Sequence, residues 1–476
     1  MPTASELSAV KQKIQNRYAK IELLNENFQV VDSLEGVTLN GSTTVDANSD
    51  MRRNATIKFI VTDSSFEVNS GGKIFLDKYI RIYLGIDSMV ENQIVYSNIG
   101  TYIVDAPTYE YDAMHNSIQL NLIDLMNKLS GVRGGYISAP SILIPAGTNI
   151  RQVMIDTLAL GGFTRYVIAE APYPSVVPND LSFSQGATIY NILAQLKNIY
   201  PNYEIFFDVD GVFHYQPIPT GKNEPVVMDD TLWKDIVLSE NSEKVDVDFQ
   251  NIKNRIEVWG RTHDPAYFST QTTISGNNIK LTIADVTNYE NELIYGFTLN
   301  LQSSFTPTTL NINNLTIYNL KQDSEENIIL EGNNEETYYC VQYIYNSGNP
   351  YFRWLGHLQA YGMAQDENPD SPYYINSSIG TLLLPLFGGE YDNCMTDDLA
   401  YQRAKYELYM HTNMQNSITL SCLPVYWLEV NTLVEYTLLK NNQKGQYLIK
   451  SFSYGFDIDD KMTITMIKYY PEYSDI

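Results

Sequence analysis

Histidines, cysteines and paired acids are where chemistry would begin, and in this chain none is spaced for a recognisable reaction. The five histidines, His115, His214, His263, His357 and His411, form no H-E-x-x-H, H-x-x-x-H or H-x-E pattern, the spacings that bring imidazole and carboxylate together on a catalytic zinc. Three cysteines, Cys340, Cys394 and Cys422, are too few and too scattered for a disulfide frame, and none sits in a C-x-x-C pair. Cys422 alternates with Ile418 and Leu420 and reads as a small hydrophobe in a strand. A G-x-S-x-G elbow, a phosphate-cradling glycine loop and a dinucleotide fingerprint are all missing. The sequence therefore predicts no catalytic residue, no metal and no cofactor.

Three stretches leave alternatives open. Asp208, Asp210 and Gly211 could begin a calcium loop, but the third ligand and the distal glutamate are lacking, and Asp-Gly between two apolar runs is what a tight hairpin needs. Glu390, Asp392 and Asp397 follow Gly388 and Gly389 and could include the acid pair of a glycosidase. A solvated acidic rim is the simpler account. Tyr338, Tyr339, Tyr343, Tyr345, Tyr351, Phe352 and Trp354 could stack on a sugar, or could equally be strand and interface residues. A glycan hydrolase with its acids in residues 262–393, and a carbohydrate-binding adhesion protein, thus stand beside a non-enzymatic structural role.

Composition narrows the field further. With 476 residues and 44% hydrophobic content, the chain is long enough for several domains around well-buried cores. Its 56 acidic against 31 basic residues give a net charge of −25, a field that repels nucleic-acid phosphates before contact. That field opposes a DNA-reading role, and it suits a protein that lets DNA slide past without sticking. No apolar run approaches the length of a membrane-spanning helix. The opening residues Met1 to Leu7 lack a basic region followed by an apolar one, so assembly in a cytoplasm is expected. The 37 tyrosines against 17 phenylalanines suit half-exposed strand and contact positions, where a ring packs while its hydroxyl stays wet.

The elements that would position any site are mostly strands. Residues 1–17 read as a polar arm. Residues 18–130 alternate as strands around Ala19 to Leu23, Ala55 to Val61 and Tyr79 to Leu84, a meander sufficient for a small β-barrel. Residues 131–225 form an α+β insertion: a helix capped at Thr148 and Asn149 and ended by Gly161 and Gly162, a second from about Ala187 to Ile199 ahead of Pro201, and a hairpin turning at Asp210 and Gly211. Residues 226–261 return through Val245 to Phe249 and Arg255 to Gly260 into a second barrel. Residues 262–393 are an elaborated, β-rich insertion. Residues 394–476 hold a helix opened by Thr396, Asp397 and Asp398 and the remainder of the second barrel. The stripe Ala400, Ala404, Leu408 would let that helix approach a sheet closely.

One unit occurs twice. Gly100, Tyr102, Ile103, Val104 and Tyr109 lead into the apolar run Ile118, Leu120, Leu122. Gly445, Tyr447, Leu448, Ile449 and Tyr454 lead into Met462, Ile464, Met466. Glycine and second tyrosine are nine positions apart in both. The fold class expected is mainly β with α+β insertions, two similar β-barrel domains per chain, each elaborated by an insertion.

The residues just quoted, together with Ala404, Tyr406, Leu408, Ser417, Ile418, Leu420, Pro424, Trp427 and Val430 towards the C-terminus and Ala55, Ile57, Phe59 and Asp124 towards the N-terminus, resemble the bacteriophage baseplate hub or tail-tip hub family. The resemblance covers both β-domains and the small insertion well, and residues 262–393 poorly. It implies tail-tube-like barrels and a homotrimer whose six similar units adapt the six-fold tail tube to a three-fold tip. It further implies a DNA-sized lumen in a virion tail, a distal tail or tube hexamer above, a tape measure protein, and spike or fibre proteins below. Many relatives continue into a wall hydrolase; this sequence ends just after its last strand, so any such activity is expected on another polypeptide. Candidate oligomer or tube contacts are Ala400, Ala404, Leu408, Tyr102, Tyr109, Tyr447 and Tyr454.

Overall fold

The computed structural model describes residues 2–12, 15–37, 40–60, 68–111, 116–138, 141–172, 175–200, 202–219, 225–238, 243–246, 249–324, 326–346, 348–413 and 417–468. Val61, His115, Pro201, Val247 and residues 471–476 lie outside the described residues.

Strict alternation builds the principal sheet. In Arg53–Ile60, Arg53, Ala55, Ile57 and Phe59 point inward while Asn54 and Ile60 face solvent, the two-residue period of a pleated strand. Twelve strands assemble in the order Glu243–Asp246, Ser417–Cys422, Met462–Lys468, Lys444–Gly455, Asn40–Asp46, Arg53–Ile60, Asn116–Asp124, Gln93–Tyr111, Tyr79–Ser88, Arg17–Leu24, Val30–Val37, with Leu433–Thr437 beside the first part of Lys444–Gly455. Both repeats therefore lie in one sheet and share one core, in which Ile57, Leu120 and Tyr102 join Leu420, Ile464 and Tyr447. The fold is the mainly β class expected, with two similar units and insertions, and the first meander runs through Asn40–Asp46 directly into the second. The polar arm also has a fixed place. Thr3 caps the helix Ala4–Val10 in a capping box with Glu6, and Ala9 and Val10 join the shared core.

The small insertion has its own core. Asn149 caps Ile150–Leu160 and Thr188 caps Ile189–Ile199, and Ile189, Ile192, Leu193 and Leu196 are buried along one stripe. Tyr203–Phe207 pairs with Phe213–Pro217, which in turn lies parallel to Tyr166–Ile168.

Residues 262–393 hold an eight-stranded sheet with an aromatic core of Tyr295, Phe297, Tyr339, Tyr343, Phe352 and Trp354. One correction concerns Arg255–Thr262, expected to lead into the second barrel. It leaves the principal sheet to form the centre of a three-stranded one, flanked by Gln359–Gln365 and Leu383–Phe387. The long helix Asp397–Asn413 covers that small sheet. Ala400 and Ala404 are fully buried there, and a Cβ on Gly362 would stand 2.0 Å from the Tyr401 backbone nitrogen. The small residues thus bring helix and sheet backbones into direct contact.

Candidate assembly interface

The two repeats agree residue by residue in how they pair. Tyr102, Ile103, Val104, Ala106, Pro107, Thr108 and Tyr109 face Asp124, Ile123, Leu122, Asn121, Leu120, Gln119 and Ile118. Tyr447, Leu448, Ile449, Ser451, Phe452, Ser453 and Tyr454 face Lys468, Ile467, Met466, Thr465, Ile464, Thr463 and Met462. Each ladder skips one residue at the same step, Asp105 in the first and Lys450 in the second, which is a β-bulge. The flanking strands agree as well: Ile80 faces Tyr102 as Val434 faces Tyr447, and Ala55 faces Leu122 as Ile418 faces Met466. Register with one face buried is strongly specified, because a slip of one residue would turn every core side chain outward. Two copies with the same bulge are thus two copies of one strand unit.

A buried polar junction holds the copies and the small insertion together. Arg52 Nη2 donates to Glu204 Oε2 at 2.7 Å, and Asn431 Nδ2 donates to the same oxygen. Gln216 Nε2 donates to Glu204 Oε1 at 3.1 Å, and Lys450 Nζ to Asn431 Oδ1 at 3.0 Å. The Arg52 guanidinium also stacks 3.8 Å above the Phe206 ring. Beside it Arg53 pairs with Glu429, and its backbone N–H donates to Asp124 Oδ2 at 3.2 Å. Burial pushes the Asp124 carboxyl up to about 6, against the hydrogen bond from Met126 N–H and the nearby Arg53 charge. Burial likewise lowers the Lys450 ammonium below its ordinary value. Sequence reading missed this junction; its one signal is the adjacent basic pair Arg52 and Arg53 opening an apolar strand in an acidic chain.

The candidate contact residues fall into two groups. Tyr102, Tyr447, Tyr454, Ala400 and Ala404 are buried by their own chain, and burial raises the Tyr102 phenol to about 12. Tyr109 and Leu408 are half-buried. Of the stretches with an unpaired side, Ala106–Glu110, beyond the end of its pairing with Tyr79–Ser88, holds the candidate Tyr109, whereas Glu243–Asp246, at the end of the sheet, holds none; Pro107 within a strand is the sequence signal that marks an unpaired side.

The open chemical alternatives find other employment. Asp208 Oδ1 accepts from Asp210 N and Val212 N at 3.0 and 2.8 Å, and its Oδ2 lies 3.0 Å from His214 Nε2, so it shapes the hairpin turn. Glu390 is bound by Arg403 Nη2 at 3.0 Å. Asp397 accepts from His357 N and Tyr361 N at 3.0 and 2.8 Å, and its hydrogen bond to the His357 ring raises that imidazole's pKa. Trp354, Tyr339, Tyr343 and Phe352 are buried as strand core residues, while Tyr338 and Tyr345 are exposed. Among the described residues, no helix is long and apolar enough to cross a membrane.

Residues 370–473 match a family described as a domain of unknown function, DUF5048. No curated protein sequence matches the chain. Among solved structures, it is similar to the 43 kDa tail protein of prophage MuSo2 from Shewanella oneidensis, with 11% identity, a TM-score of 0.52, and coverage of 96% of this chain and 99% of that one. A tail protein from Neisseria meningitidis MC58 matches with 9% identity and a TM-score of 0.47 over 94% and 96% of the two chains. Prophage tail protein gp18 from Listeria monocytogenes EGD-e matches with 10% identity and a TM-score of 0.45 over 94% of each. The chain has the fold of the Shewanella phage tail protein along nearly its whole length, the mainly β fold that the hub resemblance implies.

Proposed function

We propose that this chain is a structural, non-enzymatic component of a phage tail: a homotrimeric hub whose two sheet units per chain present six similar surfaces to a six-fold tail tube and enclose a channel for DNA. The single observation that carries the reading is the duplicated strand unit with its shared register and shared bulge. A trimer meets a six-fold partner only if each protomer offers two quasi-equivalent surfaces. The net charge of −25 favours a lumen that DNA traverses without binding. The tube protein lies above, the tape measure enters the lumen, and spike or fibre proteins attach below, with the eight-stranded insertion standing off the ring.

The test is mass photometry of the purified protein followed by particle imaging. A trimeric ring with pseudo-six-fold symmetry is the expected result. A chain that stays monomeric at high concentration, even beside tube protein, would falsify the hub. Release of soluble glycan from purified cell wall would favour the hydrolase instead.

A further inference from the structure

The seam between the two halves of one chain is left half-made at each end of the repeat. Within the chain, the outer part of Lys444–Gly455 pairs with Asn40–Asp46: Phe452 faces Val45, Ser453 faces Thr44, Tyr454 faces Thr43 and Gly455 faces Ser42. Phe456 N–H donates to the Gly41 carbonyl at 3.0 Å, so by the alternation of an antiparallel ladder Phe452 and Tyr454 face the same seam with their backbone groups. The matching segment of the first half, Ala106–Glu110, has Asn116–Asp124 on one side; on the other, the pairing with Tyr79–Ser88 ends at Ile103, and no described strand pairs with 106–110. Ala106, Thr108 and Glu110 are exposed.

The counterpart of Asn40–Asp46 in the second half is Glu243–Asp246. Thr43 faces Ala55 and Thr44 faces Asn54 in one copy; Val245 faces Ile418 and Asp246 faces Ser417 in the other. Glu243–Asp246 ends the principal sheet with one edge uncovered by any described strand, and Val245 is 37% exposed along it. The edge is held ready: Glu243 Oε2 accepts from Tyr436 Oη at 2.7 Å and from Leu439 N at 2.8 Å.

We infer that Ala106–Glu110 of one protomer pairs with Glu243–Asp246 of the next copy of this chain, in the register of the internal seam: Thr108 opposite Asp246, Tyr109 opposite Val245, Glu110 opposite Lys244. The inference rests on the hub reading and specifies its joint. That register sets an acid against a base at Glu110 and Lys244, a favourable cross-strand pair. It also covers Val245. Each chain carries one edge of each kind, so the contact is head-to-tail and closes into a ring when the rotation per unit allows. Pro107 stands where Phe452 stands in the internal seam. Lacking an N–H, it leaves the outer joint one hydrogen bond short, the pattern by which open edges resist promiscuous pairing before assembly.

The test is the double variant Thr108→Cys with Asp246→Cys in the full chain, oxidised and run on a non-reducing gel beside mass photometry of the same sample. Their positions form a non-hydrogen-bonded pair, whose close Cα spacing permits a disulfide. Covalent dimers and trimers are expected, and none from Thr108→Cys with Lys244→Cys, which is two residues out of register. A trimer that does not cross-link, or that links only in the shifted variant, overturns this seam and leaves the hub standing. A monomer overturns the hub and the seam with it. Independently, Glu110→Lys shifts the trimer towards monomer and Glu110→Lys with Lys244→Glu restores it; no restoration counts against the register.

Discussion

Asp105 and Lys450 occupy the same step of two different strands, each the extra residue at which a ladder bulges. Their surroundings differ because one copy is closed and the other open. The Lys450 carbonyl accepts from Ala47 N–H at 2.8 Å, inside the joint between the two halves. The Asp105 carbonyl is exposed on the outer edge and accepts from Arg133 Nη2 at 2.8 Å. A bulge turns the strand and strengthens its twist. Repeating it at the same place turns both units by the same sense, which the proposed ring of similar units requires.

Glu204 is the group on which the three parts of the chain converge. Glu204→Ala leaves Arg52, whose side chain is only 2% exposed, as an unpaired buried cation, and also strips Asn431 and Gln216 of their acceptor. A loss of about 3–5 kcal/mol is expected, read as a lower urea midpoint. Glu204→Gln keeps an acceptor and loses less. A cost under about 1 kcal/mol for the alanine variant would show that the junction does not hold the copies together.

Asp124 makes stability depend on acid in a defined direction. Its folded pKa of about 6 lies above the ordinary 3.8, so the protonated form is favoured by folding. That contribution is fully present below about pH 4 and is lost as pH rises through 6. Asp124→Asn removes it. The variant's unfolding free energy, measured against the parent at several pH values, should improve between pH 4 and 7 by up to about 3 kcal/mol. A pH-independent difference would mean that Asp124 titrates normally.

Gly362 lies beneath the long helix, and Gly362→Ala must push the Tyr401 backbone away because the added carbon has no flexible side chain to displace. Destabilisation of about 1–3 kcal/mol is expected. Limited proteolysis should localise it to the three-stranded sheet and helix, with the principal sheet still protected. Unchanged proteolysis throughout would mean that helix and sheet separate easily.

Local signals explain what could be read from the chain itself. The repeat was legible because glycine, tyrosines and alternating apolar residues sit within a few positions of one another. Caps at Asn149 and Thr396 are equally local, and Thr396 Oγ1 accepts from Leu399 N at 3.2 Å. Which sheet a strand joins is a different matter. Ser451 meets Asp46 across most of the chain, and the alternation of Arg255–Thr262 is the same whichever sheet it enters. Tyr102 and Tyr447 read as contacts in the sequence because tyrosine suits both a subunit interface and a strand core; both are buried within their own chain.

Trp354 separates the structural from the sugar-binding reading of the aromatic region. It packs against Phe297 and Tyr339 with ring centroids 6.1 and 5.2 Å away. Trp354→Ala therefore opens a cavity in the core of the eight-stranded insertion, at a cost of about 3–5 kcal/mol. That core is separate from the shared one, so the insertion should unfold at lower temperature while the principal sheet keeps its transition, giving two calorimetric steps where the parent shows less separation. A folded variant with an unshifted transition and a specific loss of glycan binding would reverse this account and restore Trp354 as a ligand contact.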